Sequence, residues 1–150
     1  MKYDRILVCG SRTWRGYKII AAKLEKYAHE DTVIITGKAP GADSLAEWWA
    51  VCTQHDYMGF PARWKTQGKA AGMIRNKRML LDGLGVSAGM KVPDIPPDGV
   101  LVLAFHAFYE KSKGTKNMVE LAQAAGLTVK LISSGDIEDE KYQRMYETRE

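Results

Sequence analysis

The sequence predicts an α/β fold in which five mostly parallel strands form one doubly wound domain flanked by helices. Apolar runs without alternation, typical of strands covered on both faces, occupy residues 6–9, 33–35, 100–105 and 129–132, with a weaker run at 57–60. Helix-period segments separate the runs, and this alternation implies parallel pairing through right-handed crossovers. A length of 150 residues suits one such domain and is too short for two.

Four apolar stripes at helical spacing lie between the strands. They consist of Ile20, Leu24 and Tyr27; of Leu45, Trp48, Trp49 and Cys52; of Met73, Leu80 and Leu84; and of Met118, Leu121, Ala122 and Ala125. Gly126 follows the last stripe, where a helix C-terminal glycine belongs. We expect both tryptophans in the core because they fall on a stripe, and we expect both cysteines, Cys9 and Cys52, to behave as small buried apolar residues.

The domain is predicted to cover residues 1–135. Within it, residues 82–99 are rich in Gly and Pro and exceed the usual connection length, which indicates a lid, an oligomer arm or a disordered loop. Residues 136–150 form a charged tail or a short helix, which either packs on a partner subunit or is solvated.

The charge balance favours an anionic partner. The chain has 22 basic and 18 acidic residues, and because the tail is acidic, residues 1–135 hold a net charge of +7. No apolar run is long enough to cross a bilayer and no signal-peptide pattern opens the chain, so we expect a cytoplasmic protein without a membrane partner. His29, His55 and His106 lack ligand-like spacing, so no metal site is expected.

Two loops after strong strands have the composition of anion sites. In parallel sheets, ligands bind beyond the carboxyl ends of the strands. After the first strand, Gly10 allows a close approach, Ser11 offers a hydroxyl group and Arg12 can bind a phosphate. After the second strand, the loop contains Gly37, and residues 41–43 begin a helix. The first amides of that helix are uncovered and favour an anion. Asp43 in that first turn either stabilises the helix as a structural cap or accepts a ribose hydroxyl.

The loop after the fourth strand resembles a phosphate cradle. A hydroxyl, a cation and a glycine precede a helix at residues 112–115. The spacing is not that of a Walker A loop, so ATP hydrolysis is not expected. A basic segment at residues 63–78 either forms a solvated helix face or reaches into the same crevice. The predicted ligand-binding residues are Gly10, Ser11, Arg12, Gly37, Gly41, Ala42, Asp43, Lys69, Arg75, Asn76, Ser112, Lys113, Gly114 and Thr115.

These motifs together resemble the YspA-type, cpYpsA-related branch of the SLOG superfamily. The resemblance rests on residues 6–12, 41–46, 68–72 with Arg75-Asn76, and 113–118, and it runs in order over about residues 6–132. That superfamily groups Rossmann-like domains of the Lonely-guy phosphoribohydrolases and of the DNA-processing protein DprA. The resemblance implies a Rossmann-like fold and a nucleotide or nucleotide-derived ligand such as an ADP-ribose-like molecule, in a bacterial or phage setting. No further cofactor is implied.

Two departures from the related motifs bear on chemistry. The second-strand loop of the family typically reads Gly-Gly-Ala-Arg-Gly-Ala-Asp, whereas here Lys38 replaces the second glycine and Pro40 the arginine, so the positive charge has moved by two residues. In the Lonely-guy motif a catalytic glutamate stands three residues after the threonine, where this chain has Met118 after Thr115. The carboxylate that hydrolase chemistry would require there is therefore missing.

Three functions remain open at this point. The first is binding of a nucleotide-type ligand by a sensor or sequestering protein. The second is an enzyme that acts on the N-glycosidic bond of a nucleotide, with Asp43 or Glu47 supplying the carboxylate. The third is nucleic-acid binding through the basic body, ranked last because aromatic residues do not alternate with the bases. Relatives suggest a homodimer formed through helix faces.

Overall fold

The computed structural model describes residues 1–85, 99–106 and 113–133, and these form one five-stranded parallel sheet flanked by helices. The strands are β1 (Tyr3–Gly10), β2 (Ala28–Thr36), β3 (Tyr57–Gly59), β4 (Val100–His106) and β5 (Thr128–Ser133). Their order is β3-β2-β1-β4-β5, and all four neighbouring pairs are parallel. The predicted doubly wound α/β fold is confirmed.

Five α-helices are described: α1 (Tyr17–Tyr27), α2 (Ala42–Cys52), α3 (Trp64–Gln67), α4 (Ala71–Arg78) and α5 (Lys113–Ala124). α1 and α2 cover one face of the sheet, while α5 and the turn that follows α4 at residues 79–84 form the core on the other face, and α4 packs against α5. Within the described ranges, no helix is both long enough and apolar enough to cross a bilayer.

Both faces of the central strands are buried, which explains why their sequences are continuously apolar. In β1, Ile6 and Val8 belong to the core beneath α1 and α2, whereas Leu7 and Cys9 belong to the core beneath α5 and residues 79–84. The same division holds in β4, whose residues 100–105 are all buried. Side chains alternate between faces along a strand, so a strand between two helix layers needs apolar residues at every position.

The predicted stripe of α2 is wrong in two positions. The face on the sheet is formed by Ala42, Ala46, Trp49 and Ala50, whereas Trp48 is 60% exposed and Cys52 is exposed. Adjacent helix positions differ by about 100° around the axis, so only one of two consecutive tryptophans can face the core. The small alanines let the helix approach the sheet and leave Leu45 at the boundary.

The third predicted stripe fails at Met73, which is 56% exposed. A 3₁₀ turn (Gly68–Ala70) precedes α4 and a π-helical turn (Met79–Gly83) follows it, closed by the amide of Leu84 on the carbonyl of Met79. Each change of helix type shifts the phase, so one 3.6-residue stripe cannot run through the segment. Leu80 and Leu84 are nevertheless buried.

The end of α5 is as predicted. Gly126 has φ of +78°, its amide donates to the carbonyl of Gln123, and the amide of Leu127 donates to the carbonyl of Ala122. This is a Schellman closure, which needs a left-handed residue at the glycine position. It turns the chain directly into β5.

The strand order reverses between β1 and β4. From β1 the chain moves outward through β2 to β3, then returns to β4 on the other side and continues to β5. The two strands pair through Gly10 opposite Phe105, and the amide of Ser11 donates to the carbonyl of Phe105 at 2.8 Å. Such a reversal opens a crevice at the carboxyl edge of the sheet, the usual ligand position in this architecture.

Substitutions in neighbouring strands test this layering. Leu103 in β4 is fully buried, so Leu103→Ala should lower the free energy of unfolding by about 2–5 kcal/mol. Leu131 in β5 is 45% exposed, so Leu131→Ala should cost less than about 1 kcal/mol. Urea denaturation followed by circular dichroism measures both values. Equal losses for the two variants would contradict the described burial.

Candidate functional site

A cavity of about 290 Å³ lies at the carboxyl edge of the sheet, where the strand order reverses. Its walls come from the ends of β1, the loop after β2, the segment from α3 to the π-helical turn, and the first turn of α5. The described lining residues are Cys9, Gly10, Arg12, Ala39, Asp43, Trp64, Gly72, Arg75, Asn76, Met79, Lys113, Gly114 and Thr115. Segments distant in the sequence therefore meet in one place.

The loops after β1 and β2 touch through two glycines. A Cβ at Gly10 would overlap the carbonyl oxygen of Phe105, and a Cβ at Gly41 would overlap the backbone of Ser11 and Arg12. Gly41 also has φ of +81°, a conformation that side chains disfavour. The amide of Ala42 then donates to the carbonyl of Ser11 at 3.3 Å. The first turn of α2 is thereby fixed against the end of β1.

Asp43 organises the loop after β2 from inside the wall. Its Oδ2 accepts hydrogen bonds from the amides of Gly37 at 3.0 Å and Ala39 at 3.2 Å, and the residue is 5% exposed. Burial raises the pKa of Asp43 to about 6, against the opposing effects of the Ala39 amide, the Arg75 charge and the Gly37 amide. Asp43 therefore does not cap α2, whose N-cap residue is Gly41 without a side-chain cap bond, but holds the preceding loop, and the same carboxylate lines the cavity.

Arg75 and Asn76 connect the loop after β2 to α5. The Nη1 of Arg75 donates to the carbonyl of Gly37 at 2.7 Å and its Nε donates to Oδ1 of Asn76 at 2.9 Å. The Nδ2 of Asn76 then donates to the carbonyl of Gly114 at 3.1 Å and to Oδ1 of Asn117 at 3.0 Å. Burial lowers the pKa of Arg75, while Asp43 acts to raise it. This chain of bonds joins the loop that precedes α2, on one side of the sheet, to α5 on the other side.

The lining is dominated by positive charge. Arg12 and Lys113 are exposed at the cavity, Arg75 lies deeper, and of the described lining residues Asp43 alone carries a carboxylate. The first turn of α5 adds Lys113, Gly114 and Thr115 to the wall. The first amides of a helix have no acceptor within the helix and sit at its positive end, so this position suits an anion. A Cβ at Gly114 would meet nothing within 4 Å, so the turn is open to an approaching group.

Cys9 contributes a thiol to the wall but not a nucleophile. The residue is 7% exposed, and burial, with a smaller effect of Asp43, raises the pKa of its thiol well above the ordinary range. The thiolate is the reactive form of cysteine, so a thiol held protonated is inert.

Lys38 and Glu47 face each other away from the cavity lining. The Nζ of Lys38 lies 3.1 Å from Oε2 of Glu47, whose Oε1 accepts a hydrogen bond from Thr36 at 2.6 Å. The Nζ also lies 5.5 Å from the ring centroid of Tyr57. The charge displaced from the family's arginine position is therefore used in this surface pair.

The structure brings eight of the predicted binding residues to the cavity. They are Gly10, Arg12, Asp43, Arg75, Asn76, Lys113, Gly114 and Thr115. Four more, Ser11, Gly37, Gly41 and Ala42, lie behind the wall and shape it through their backbones. Lys69 is exposed and does not line the cavity, and Ser112 lies outside the described residues. Of the two candidate carboxylates, Glu47 is not part of the lining.

Sequence reasoning missed five lining residues: Cys9, Ala39, Trp64, Gly72 and Met79. Trp64 had a signal, since it opens the basic segment that was already considered for the crevice. Cys9 and Met79 had no such signal. They are buried apolar residues of the core, and their contact with the cavity depends on where the sheet ends. The segments 86–98, 107–112 and 134–150 lie outside the described residues, so the tail and most of the Gly- and Pro-rich segment remain predictions.

Comparison with known proteins shows the family of the chain. The model of the YspA, cpYpsA-related SLOG family matches residues 4–66. The chain is also 31% identical over 140 residues to the gene 61 protein of Mycobacterium phage D29, covering 88% of this chain and 97% of that protein. The chain belongs to the YspA, cpYpsA-related SLOG family. No solved structure matches it.

Family membership suggests a nucleotide-related ligand, and the matched region contains two of the three cavity loops. The third loop, at the start of α5, lies beyond that region and joins the site by geometry. In α5, Met118 occupies the position of the Lonely-guy glutamate and is fully buried in the core between α5 and the sheet. Among the described residues, no group of three or more His, Cys, Asp or Glu side chains is placed to hold a metal ion.

The buried carboxylate gives the protein a defined pH dependence. The pKa of Asp43 in the folded state, about 6, lies above its ordinary value of 3.8, so the folded state holds the proton more tightly than the unfolded chain. This contribution to stability is complete below about pH 4 and is lost as the pH rises through 6. Relative to Asp43→Asn, the wild type should lose up to about 3 kcal/mol of unfolding free energy between pH 4 and pH 7.

Urea denaturation of both proteins across that range measures the difference, and charges common to both cancel. Asparagine keeps a side-chain oxygen for the two loop amides, so it is the appropriate replacement. A difference between the two proteins that stays constant with pH would contradict the assignment.

Proposed function

We propose that the cavity binds the phosphorylated sugar of a nucleotide or nucleotide-derived ligand, and that the protein acts as a sensor or sequestering module. The observation that carries this proposal is the convergence of Arg12, Lys113 and the first turn of α5 on one cavity beside the carboxylate of Asp43. Cations with a helix N-terminus recognise phosphate, and a carboxylate is an acceptor for sugar hydroxyls. Family membership supports the same class of ligand.

Each group has a distinct role in this proposal. Arg12 and Lys113 are exposed at the cavity, where each can reach a phosphate. Arg75 is committed to Gly37 and Asn76 and holds the wall in place. Asp43 is fixed by two amides on Oδ2, which orients the carboxylate for a ribose hydroxyl. A cavity of about 290 Å³ lies near the lower end of small-molecule sites, which suits a mononucleotide.

Two features favour binding over turnover. The position of the Lonely-guy glutamate is occupied by the buried Met118, and the thiol of Cys9 is held in its unreactive form. Neither residue can serve as a general base or nucleophile toward a ligand in the cavity.

Titration calorimetry with AMP and adenosine tests the phosphate site. AMP should bind more tightly than adenosine, and Arg12→Ala or Lys113→Ala should each weaken AMP binding by about tenfold, because a charge-assisted hydrogen bond is lost. Adenosine binding should change little in either variant.

Lys69→Ala is the matched control, since Lys69 is an exposed lysine of the basic segment that does not line the cavity. It should leave AMP binding unchanged. Equal affinities for AMP and adenosine, or an equal loss in all three variants, would overturn the phosphate assignment.

A second candidate function is hydrolysis of the N-glycosidic bond, favoured by the raised pKa of Asp43. A carboxylate with a pKa of about 6 can exchange a proton near neutral pH. In the reaction, water would add to the sugar C1′ as the bond to the base breaks, and Asp43 would accept the water proton. The leaving base would take a proton from solvent, and Asp43 would then release its proton to solvent.

Chromatographic detection of free adenine from AMP measures this activity. Any release by the wild type should disappear in Asp43→Asn and persist in Glu47→Gln, because Glu47 pairs with Lys38 outside the lining. Activity that survives Asp43→Asn would contradict Asp43 as the base.

Nucleic-acid binding, a homodimer and a cytoplasmic location stay predictions. The volume of the cavity favours a small molecule over a duplex. A gel shift at low salt that weakens steeply as salt is added would support nucleic-acid binding instead.

A further inference from the structure

Trp64 forms an aromatic part of the cavity wall. The proposed contacts to phosphate and ribose do not involve it. The residue opens α3, lines the cavity and is 49% exposed. The edge of its indole lies over Gly72 of α4: a Cβ atom added to Gly72 would be 3.4 Å from Cη2 of Trp64. The ring is thus supported from the protein side and remains accessible.

A planar cation already lies over this ring. The Cζ of Arg12 is 5.8 Å from the Trp64 ring centroid, and both side chains line the cavity. A guanidinium group stacks on an aromatic face much as a nucleobase does, because both are flat and delocalised. The ring face that Arg12 covers is therefore also suited to another planar group, such as a nucleobase, in place of the guanidinium.

We propose that Trp64 is the platform on which the base of a nucleotide stacks, with Arg12 moving from the ring to the phosphate. This inference rests on the proposed function and makes it more specific: the ligand is a nucleotide with its base attached, rather than a sugar phosphate alone. Stacking uses the π-face that every base has, so the platform accepts different bases. Trp48, which is exposed but does not line the cavity, has no such role.

Titration calorimetry of the full chain with AMP, UMP and ribose 5-phosphate tests the platform. Trp64→Leu should weaken AMP binding by about tenfold or more, the order of a base–aromatic stack, while ribose 5-phosphate binding stays unchanged. Trp64→Phe should retain most of the AMP affinity because it keeps an aromatic face. UMP should follow the same pattern with a smaller change, since its base is smaller. Trp48→Leu is the matched control and should alter neither affinity.

The outcomes separate this inference from the proposed function. If ribose 5-phosphate and AMP bind the wild type equally, or if Trp64→Leu weakens both by the same factor, the platform is wrong while the phosphate site stands. If AMP affinity survives Trp64→Leu, the platform is likewise wrong. If none of the three ligands binds the wild type, the proposed function fails and the platform fails with it.

Discussion

The site depends on a carboxylate buried within its wall. Asp43 is almost fully shielded from solvent, and a buried charge is costly unless hydrogen bonds and an opposite charge compensate for it. Two loop amides bind its Oδ2, and the Arg75 charge acts on it from the neighbouring wall. The folded pKa near 6 shows that this compensation is partial. The loop after β2 keeps its shape because releasing it would leave this carboxylate without its donors.

The same constraint extends across the sheet through Arg75 and Asn76. α2 packs on one face of the sheet, whereas α5 packs on the other with α4 against it, so the two layers meet only beyond the ends of the strands. The bonds from Arg75 to Gly37 and from Asn76 to Gly114 close this gap. Side chains in such a network have their rotamers fixed by one another, which preorganises a site for its ligand. Arg12 and Lys113, exposed at the cavity, remain free to respond to a ligand.

The fold was predictable because burial on both faces leaves a plain signal in the sequence. The strands beneath two helix layers are continuously apolar, and the glycine that ends α5 marks its turn. Helix faces were harder to predict, since hydrophobicity cannot show which of Trp48 and Trp49 faces the sheet, and the π-helical turn shifts the phase after α4. The cavity was predictable where motifs follow strands, as at Arg12 and Lys113. The positions of Cys9 and Met79 at the cavity depend on three-dimensional packing that no local sequence pattern encodes.

The loop after β2 differs from the family pattern in the position and direction of its positive charge. Lys38 has φ of +55°, a left-handed conformation at the position where the family pattern has glycine. The ammonium group of Lys38 pairs with Glu47 and lies over the ring of Tyr57. Its charge is therefore directed away from the cavity. With proline at the arginine position, this loop supplies backbone shape and the carboxylate of Asp43, but no cation to the lining. The positive charge of the lining comes from the loop after β1, from α4 and from the start of α5. Under the proposed function, the phosphate of a ligand would therefore lie on that side of the cavity and its sugar beside Asp43.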